Sequence, residues 1–287
     1  MKKILFISIA LMLLAGCTDA RVNVKNPKEN MITVGDVSYT KGHLFSMMIS
    51  QDPGSLVIEM AKRIILDEEY PIDDDVRAKA QEELEYVKEI FGDAFLRNIA
   101  LYGFTTEEDY FERALLPGAQ ESLLVQRFIE ENFDMITAKY TPRKVRIIEF
   151  NELPDATDAL EAIKAGGNVE EVAKEYSTSL AYKGELRLVH SESGLPSDVD
   201  AFVKQSDVPT LTSTPIEQKS TGKFYVVQIV EVVATRFKDE IIDELSSLNS
   251  INQLMFVEFF KKGEFNVYDK NVFDSIKQNN KDYLPDR

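Results

Sequence analysis

The chain has 287 residues, of which 44% are hydrophobic and 29% are charged, and its formal net charge is −16. This composition excludes a wholly disordered chain, and the length predicts one large domain or two to three small ones. The negative charge argues against electrostatic binding to nucleic acid or to an anionic membrane surface. A net negative charge commonly keeps a protein soluble, and it would also favour the binding of basic polypeptide clients.

The start of the chain has the pattern of a bacterial lipoprotein leader. A positive Met-Lys-Lys start precedes an apolar run at 4–14, and the segment ends in Leu-Ala-Gly-Cys at Cys17. The run is shorter than the ~20 residues that a transmembrane helix needs. We expect a signal peptide at 1–16, a lipidated Cys17 and a tether at 17–30; the alternative is an ordinary signal peptide with an incidental cysteine.

Lipidation of Cys17 would place the protein on the extracytoplasmic face of the cell membrane, held by its lipid anchor. Cys17 is the only cysteine of the chain. We therefore expect no thiol for disulfide, redox or metal chemistry elsewhere.

Helical patterns dominate the region after the tether. Alternating residues at 31–40 predict a short strand pair, and the nearly all-apolar run at 56–66 predicts a buried helix. A long amphipathic helix is predicted at 73–91, with an apolar face formed by Val76, Ala80, Leu84, Val87 and Phe91. The Leu-Leu-Pro-Gly sequence at 115–118 predicts the end of one helix, and another is expected at 119–132.

The segment 140–233 has a different pattern. A strand-like run at 144–151 is followed by a helix-like run at 157–179, a short segment at 183–189 and a β-branched strand at 222–232. This order predicts a small α+β unit.

Past residue 233 the helical pattern returns. One long helix ending near Gly263 is predicted by apolar residues on one face, namely Ile241, Leu245, Leu248, Met255 and Phe259. The aromatic residues of this helix need a cover, and the N-terminal helices are the simplest one. We therefore expect a single helical domain formed by 31–139 and 234–287, with 140–233 inserted into it; a client-binding groove is a second reading of the same stripe.

Four motifs occur in a fixed order along the chain: ITVGDVSYTKGHLFSMM at 32–48, YGFTTEEDYFERAL at 102–115, VEEVAKEYSTS at 169–179 and FKKGEFNVYDKNVFDSI at 260–276. Together with the leader they resemble the PrsA-type foldase lipoproteins, which carry a parvulin-type prolyl isomerase domain in a SurA-like chaperone architecture. The resemblance implies an α+β fold, with a helical chaperone domain made from both chain ends and an inserted four-stranded parvulin-like domain. It also implies unfolded or newly secreted polypeptides as partners and no cofactor or metal, and it is compatible with a homodimer.

The resemblance places the isomerase site on residues that differ from those of the family. Parvulins use histidines on two neighbouring strands and an aspartate or cysteine after the helix that ends in "YST". The matching positions here are Glu149, Tyr225 and Ser179. The two histidines of the chain, His43 and His190, fall at neither strand position.

Two further features bear on the site. The family's glycine-rich turn has become Lys-Gly-Glu-Leu-Arg at 183–187, which removes two glycines that permit unusual backbone angles. Leu195 and Val199 align with the apolar cup that receives proline.

We therefore expect a membrane-anchored extracytoplasmic foldase or chaperone that holds secreted chains without ATP, with a parvulin-like domain that is weak or inactive. Two alternatives remain open. One is an active parvulin-type peptidyl-prolyl cis-trans isomerase in which Glu149, Ser179 and Tyr225 polarise the amide. The other is a solute-binding or adhesive surface lipoprotein, although the repeated βα units of solute-binding proteins are not seen. The sequence identifies no client-binding residues.

Overall fold

The structure is a computed structural model that describes residues 24–34, 37–263 and 265–284. The expected leader with Cys17 lies outside the described residues, as does the turn at 35–36. The chain divides into two compact units, Met1–Leu124 with Asn252–Arg287, and Val125–Ile251. None of the described helices combines the length and apolar character needed to cross a bilayer.

The first unit starts with the predicted strand pair and continues as helices. Strands β1 (Asn30–Val34) and β2 (Val37–Thr40) pair antiparallel. The helices that follow are α1 (Lys41–Gln51), α2 (Pro53–Glu69), α3 (Asp74–Phe91), α4 (Phe95–Leu101), α5 (Glu107–Tyr110) and α6 (Leu116–Glu131).

Side-chain caps explain where the first helices begin. The hydroxyl of Thr40 accepts the backbone N–H of His43, Asp52 accepts that of Ser55, and Asp73 accepts that of Val76. Each cap satisfies a backbone donor that has no partner within its helix. Helix α3 buries Val76, Ala80 and Leu84, which confirms the predicted inner face, whereas Phe91 is exposed.

The Leu-Leu-Pro-Gly sequence at 115–118 does not end a helix, so that prediction is wrong. A π-helical turn at Phe111–Leu115 leads directly into α6, which starts at Leu116. Pro117 lacks the N–H of a regular helical bond, and it follows directly on this π-helical turn, in which the N–H of Leu116 bonds to the carbonyl of Phe111.

The second unit contains an antiparallel sheet. Its elements are α7 (Phe133–Tyr140), β3 (Arg143–Phe150), α8 (Leu153–Lys164), α9 (Val169–Tyr176), β4 (Lys183–Val189), α10 (Ser197–Gln205), β5 (Thr210–Leu211), β6 (Ile216–Gln218), β7 (Lys223–Glu231) and α11 (Lys238–Ser246). The order across the sheet is β4-β3-β7-β5, and β6 also pairs with β7. Because β3 occupies one edge of β7, the short strands β5 and β6 share its other edge, and the sheet is four strands wide. The predicted α+β class is confirmed.

The predicted helix-like run at 157–179 is two helices, α8 and α9. Gly166 has a φ of 96°, which favours glycine, and the N–H of Gly167 donates to the carbonyl of Ala162 at 3.0 Å. This turn satisfies the last carbonyls of α8 and redirects the chain.

Alternate residues of the central strands face two different cores. Ile148, Phe150 and Val226 pack with α8 and α9. Val145 and Val227 pack with α10 on the other face, as the two-residue period of a strand requires.

The end of the chain completes the first unit. Helix α12 (Asn249–Lys262) and helix α13 (Lys270–Asn279) precede a short 3-10 turn at Lys281–Tyr283. The predicted long tail helix is thus two helices, α11 and α12, separated at Ser247–Leu248. The aromatic stripe is buried, with Phe256 and Phe260 inaccessible to solvent.

A polar clasp joins the start of α2 to α13. The N–H of Gly54 donates to Ser275 Oγ at 3.1 Å, and Ser275 Oγ donates to Asp52 Oδ1 at 2.8 Å. Hydrogen bonds from Ser55 and then from Ser275 lower the pKa of Asp52 to about 2. Both chain ends therefore meet in one unit.

Helix α2 is only partly buried, so the prediction that it is covered all round is wrong. Ile58 and Leu66 are buried, but Leu56, Met60 and Ile64 are 41–62% exposed. These three residues are spaced by four and form an exposed apolar stripe on one side of the helix.

Candidate functional site

The carboxylate of Glu149 lies at the centre of a buried polar cluster. Glu149 is the last but one residue of β3 and is directly opposite Tyr225 on β7. The strand period places it on the face of the sheet that carries Val145 and Ile147. Glu149 is 6% exposed and Tyr225 is 3% exposed.

Three side chains donate hydrogen bonds to this carboxylate. Tyr225 Oη donates to Glu149 Oε2 at 2.9 Å, and Ser179 Oγ donates to Oε1 at 3.0 Å. Lys223 Nζ donates to the same Oε1 at 2.5 Å. The structure thus brings together the three residues that the resemblance singled out and adds a fourth.

The segment after α9 is fixed to the end of β3 by its serines. Ser177 Oγ donates to the backbone carbonyl of Glu149 at 2.5 Å, and the N–H of Ser179 donates to Ser177 Oγ at 3.1 Å. Ser179 Oγ also accepts the N–H of Ala181 at 3.1 Å. These bonds hold the Ser179 hydroxyl in the orientation that lets it reach Glu149.

The cluster stabilises a carboxylate anion beside a neutral phenol. Burial raises the pKa of Glu149, but hydrogen bonds from Lys223, Tyr225 and Ser179 outweigh this effect and the net pKa is lowered. Burial and the hydrogen bond to Glu149 raise the pKa of Tyr225. At neutral pH the site holds one negative charge, which Lys223 compensates.

Lys223 was not among the predicted site residues, although the sequence indicates that it lies on the same strand face as Tyr225. It lies two residues before Tyr225, and residues two apart in a strand share a face. An acidic residue expected at a buried strand position also calls for a cationic partner.

Neither histidine joins the cluster. His43 Nδ1 accepts the backbone N–H of Thr40 at 3.3 Å and closes the cap of α1 in the first unit. His190 follows β4 and lines a different pocket, together with Leu195. Val199 lies on α10 and is fully buried against the sheet, so its side chain cannot line an open proline cup.

Within the part of the chain that the structure describes, no group of three or more histidine, cysteine, aspartate or glutamate residues is arranged to hold a metal ion. The hydrogen bonds of the Glu149 cluster converge on its carboxylate.

Comparison with known proteins gives a consistent result. The chain is 23% identical to the foldase protein PrsA 2 of Bacillus cereus over 241 residues. The matched region covers 83% of this chain and 79% of the relative. The chain is similar to the PrsA foldases. The resemblance predicted from the four sequence motifs is confirmed.

Solved PrsA structures are also similar to the chain. The crystal structure of the peptidylprolyl isomerase PrsA from Bacillus cereus matches with a TM-score of 0.49 and 19% identity, over 88% of this chain and 99% of that one. The foldase protein PrsA of Streptococcus pneumoniae matches with a TM-score of 0.47 and 17% identity, over 87% and 99%. No family model matches the chain.

Proposed function

We propose that this chain is an extracytoplasmic foldase or chaperone, anchored to the membrane through Cys17, that assists the folding of secreted polypeptides. Its parvulin-like domain, residues 140–233, would be a weak or inactive isomerase. The similarity to a protein named as a foldase supports this proposal. The exposed apolar surface of the first unit is the structural observation that carries it.

This surface includes a pocket of about 310 Å³ between the strand pair and α1. It is lined by Met31, Ile32, Tyr39, Thr40, Leu44 and Met47. The five apolar members are 45–60% exposed. Methionine side chains adapt to different partners, and clustered exposed apolar residues mark sites of interaction, so the pocket suits apolar segments of unfolded chains.

The stripe on α2 provides a second apolar surface in the same unit. Leu56, Met60 and Ile64 project from successive turns and remain exposed. An extended apolar segment could bind along such a row without ATP, because burial of apolar area alone supplies the free energy.

The hydrogen bonds of the Glu149 cluster support the proposal that isomerase activity is weak or absent. Prolyl isomerisation has a barrier of ~18–20 kcal/mol, and catalysis needs donors directed at the twisted amide. Here the hydroxyls of Tyr225 and Ser179 are directed at Glu149 instead. A substrate would have to break these bonds to a buried anion before it could use the same donors.

An aggregation assay tests the chaperone proposal. The mature protein at stoichiometric amounts should suppress aggregation of an unfolded secreted protein. The double variant Leu44→Ser/Met47→Ser should lose much of this protection, because it makes the pocket polar. The matched control is Leu180→Ser/Val208→Ser, which alters two exposed apolar residues of the second unit and should protect like the wild type. Absence of protection by the wild type, or equal loss in both variants, would contradict the proposal.

The convergence of Glu149, Ser179 and Tyr225 also favours a second candidate, an active prolyl isomerase. A proline-peptide assay on the mature protein separates the two candidates. We expect rates close to the uncatalysed background. Clear catalysis that falls in both Glu149→Ala and Tyr225→Phe would establish the isomerase and overturn the inactive reading.

The anchor is tested by cell fractionation. A Cys17→Ser variant should leave the membrane fraction. If it remains there to the same extent as the wild type, lipidation of Cys17 is not the anchor.

A further inference from the structure

A second pocket, of about 370 Å³, lies within the second unit. It is formed by the end of β4, the turn that follows it and α11. Its lining combines His190, Glu192 and Glu244 with the aliphatic side chains of Leu195 and Leu248. The Glu149 cluster contributes none of its four members to this lining.

The mostly buried His190 contributes one hydrogen-bond donor to the lining of this pocket. The residue is 6% exposed, and its Nδ1 accepts the backbone N–H of Glu192 at 3.2 Å. In a neutral imidazole the proton then resides on Nε2. The nearest described partner of Nε2 is Glu244 Oε1 at 3.8 Å, which is too far for a hydrogen bond. Nε2 therefore makes no hydrogen bond within the described residues, and an acceptor on a ligand in the pocket would supply one.

The carboxylates of the pocket have little cationic compensation within the described residues. Glu244 has only the distant His190 as an ionic partner, and Glu192 Oε2 accepts a hydrogen bond from Ser250 Oγ at 2.8 Å. Arg187 also lines the pocket, but its guanidinium donates to Glu185 and to the carbonyl of Ala181. The pocket is therefore acidic, in a chain that is itself strongly acidic.

We propose that this pocket binds a lysine or arginine side chain of a polypeptide client. The cation would pair with Glu192 and Glu244, and the aliphatic stem would lie against Leu195 and Leu248, as long basic side chains commonly do on apolar surfaces. A backbone carbonyl of the same client segment would accept the hydrogen bond from His190 Nε2. This inference rests on the proposed chaperone function and adds to it a preference for basic segments.

Binding of two short fluorescein-labelled peptides to the mature protein tests the inference. The peptides differ only in a central lysine or glutamine, and affinity is measured by fluorescence anisotropy at low and high salt. The lysine peptide should bind more tightly at low salt, and the preference should shrink as salt is added. Glu244→Gln should weaken binding of the lysine peptide about two- to fivefold, which is the range for a partly exposed ion pair, and should leave the glutamine peptide unchanged.

Asp243→Asn is the matched control. It removes the same charge from the neighbouring exposed position of α11, which is not in the pocket lining. Wild-type affinity in this control together with the loss in Glu244→Gln supports the pocket. Equal affinity for the two peptides, or equal weakening by both substitutions, overturns it.

Failure of the pocket is distinguishable from failure of the chaperone proposal. If the wild type suppresses aggregation but does not distinguish the peptides, the pocket proposal falls and the chaperone proposal stands. If the lysine preference depends on Glu244 but no aggregation is suppressed, the pocket is a peptide site and the chaperone proposal falls.

Discussion

Glu149 is a residue whose chemistry depends on its neighbours. A carboxylate at a buried strand position is costly unless donors surround it, and here three side chains supply the compensation. Because one charge is shared among these donors, the effects of replacing them should not add. The cluster therefore acts as a unit that ties β3 to β7 and to the segment after α9.

Removal of the Tyr225 hydroxyl should show how much the Glu149 cluster contributes to the free energy of unfolding. Tyr225→Phe deletes the hydrogen bond to Glu149 Oε2, and we expect the free energy of unfolding in urea to fall by about 1.5–3 kcal/mol at neutral pH. The lowered pKa of Glu149 gives the sign of the pH dependence: its contribution is present above the unfolded pKa and is lost as the pH falls through the folded pKa. The difference between variant and wild type should therefore shrink in acid.

Tyr182→Phe provides the control for this experiment. Tyr182 lies edge-on to Tyr225 at 6.1 Å between ring centroids, and its hydroxyl makes no hydrogen bond in the described structure. Its replacement should change stability little. A loss in Tyr182→Phe as large as in Tyr225→Phe would show that the hydrogen bond to Glu149 is not the cause.

His190 should make stability depend on mild acid. Burial lowers its pKa, and the negative charges of Glu244 and Glu192 oppose this effect only in part. Because the unfolded chain binds the proton more readily, the free energy of unfolding should fall as the pH drops below the unfolded value of about 6.5. The loss attributable to His190 cannot exceed about 1.4 kcal/mol per pH unit, the limit for one proton.

Urea unfolding at about pH 7.5 and about pH 5.5 measures this effect. His190→Gln should lose less stability than the wild type between the two values. If His190→Gln loses as much stability between the two pH values as the wild type does, His190 is not the cause of the pH dependence.

At the scale of elements, the contact between α2 and α13 depends on a glycine. A Cβ atom at Gly54 would lie 2.7 Å from the backbone nitrogen of Ile276 and 2.7 Å from Ser275 Oγ. Since backbone cannot move aside cheaply, Gly54→Ala should lower the free energy of unfolding by about 1–3 kcal/mol, as overpacking does. Thermal unfolding followed by circular dichroism measures the change.

Gly118→Ala is the matched control for that substitution. Gly118 lies in α6, and a Cβ there would meet nothing within 4 Å. The change should be neutral or stabilise by up to about 1 kcal/mol, because alanine is the better helix former. If both variants behave alike, close packing at Gly54 is not what limits stability.

Elements with local signals were predictable from the sequence, and their burial was less so. The inner face of α3 follows from the spacing of Val76, Ala80 and Leu84. Composition could not show which side of α2 is covered, because that depends on α13, which lies some two hundred residues later in the chain. The exposed stripe on α2 therefore follows from tertiary packing and not from the local sequence.

Turn chemistry accounts for two of the wrong boundaries. The Gly-Gly pair at 166–167 separates α8 from α9, although the apolar spacing continues through it. At 115–118 the proline accompanies the start of α6 rather than the end of a helix. In both places the glycine or proline is visible in the sequence, but these residues occur both within or at the start of helices and at their ends.

The candidate site was predictable only in part. Family alignment pointed to Glu149, Ser179 and Tyr225, and the register of β3 with β7 brings the first and last of them face to face. The role of Ser177 depends on a bond to the backbone carbonyl of Glu149, for which the sequence carries no signal. Lys223 could have been found from the two-residue strand period.

At the scale of the whole molecule, the first unit needs the last residues of the chain. Val272, Ile276 and Tyr283 are buried in it, and Ser275 bonds to both Asp52 and Gly54. Burial of a large apolar side chain contributes roughly 1.5–3 kcal/mol, so the loss of three such residues approaches the total stability of about 5–15 kcal/mol that is typical of a domain. Truncation after residue 263 should therefore unfold much of this unit.

Hydrogen exchange of the truncated protein should resolve the two units. Amides of α2 should lose protection, whereas the paired amides of β3 and β7 should keep it, because the second unit has its own apolar cores on both faces of the sheet. The control is the full-length double variant Lys270→Gln/Asp274→Asn, which removes an exposed ion pair from α13 and should leave protection unchanged. Retained protection of α2 after truncation would contradict a helical unit that requires both chain ends. Loss of protection in β3 and β7 as well would show that the two units unfold as one.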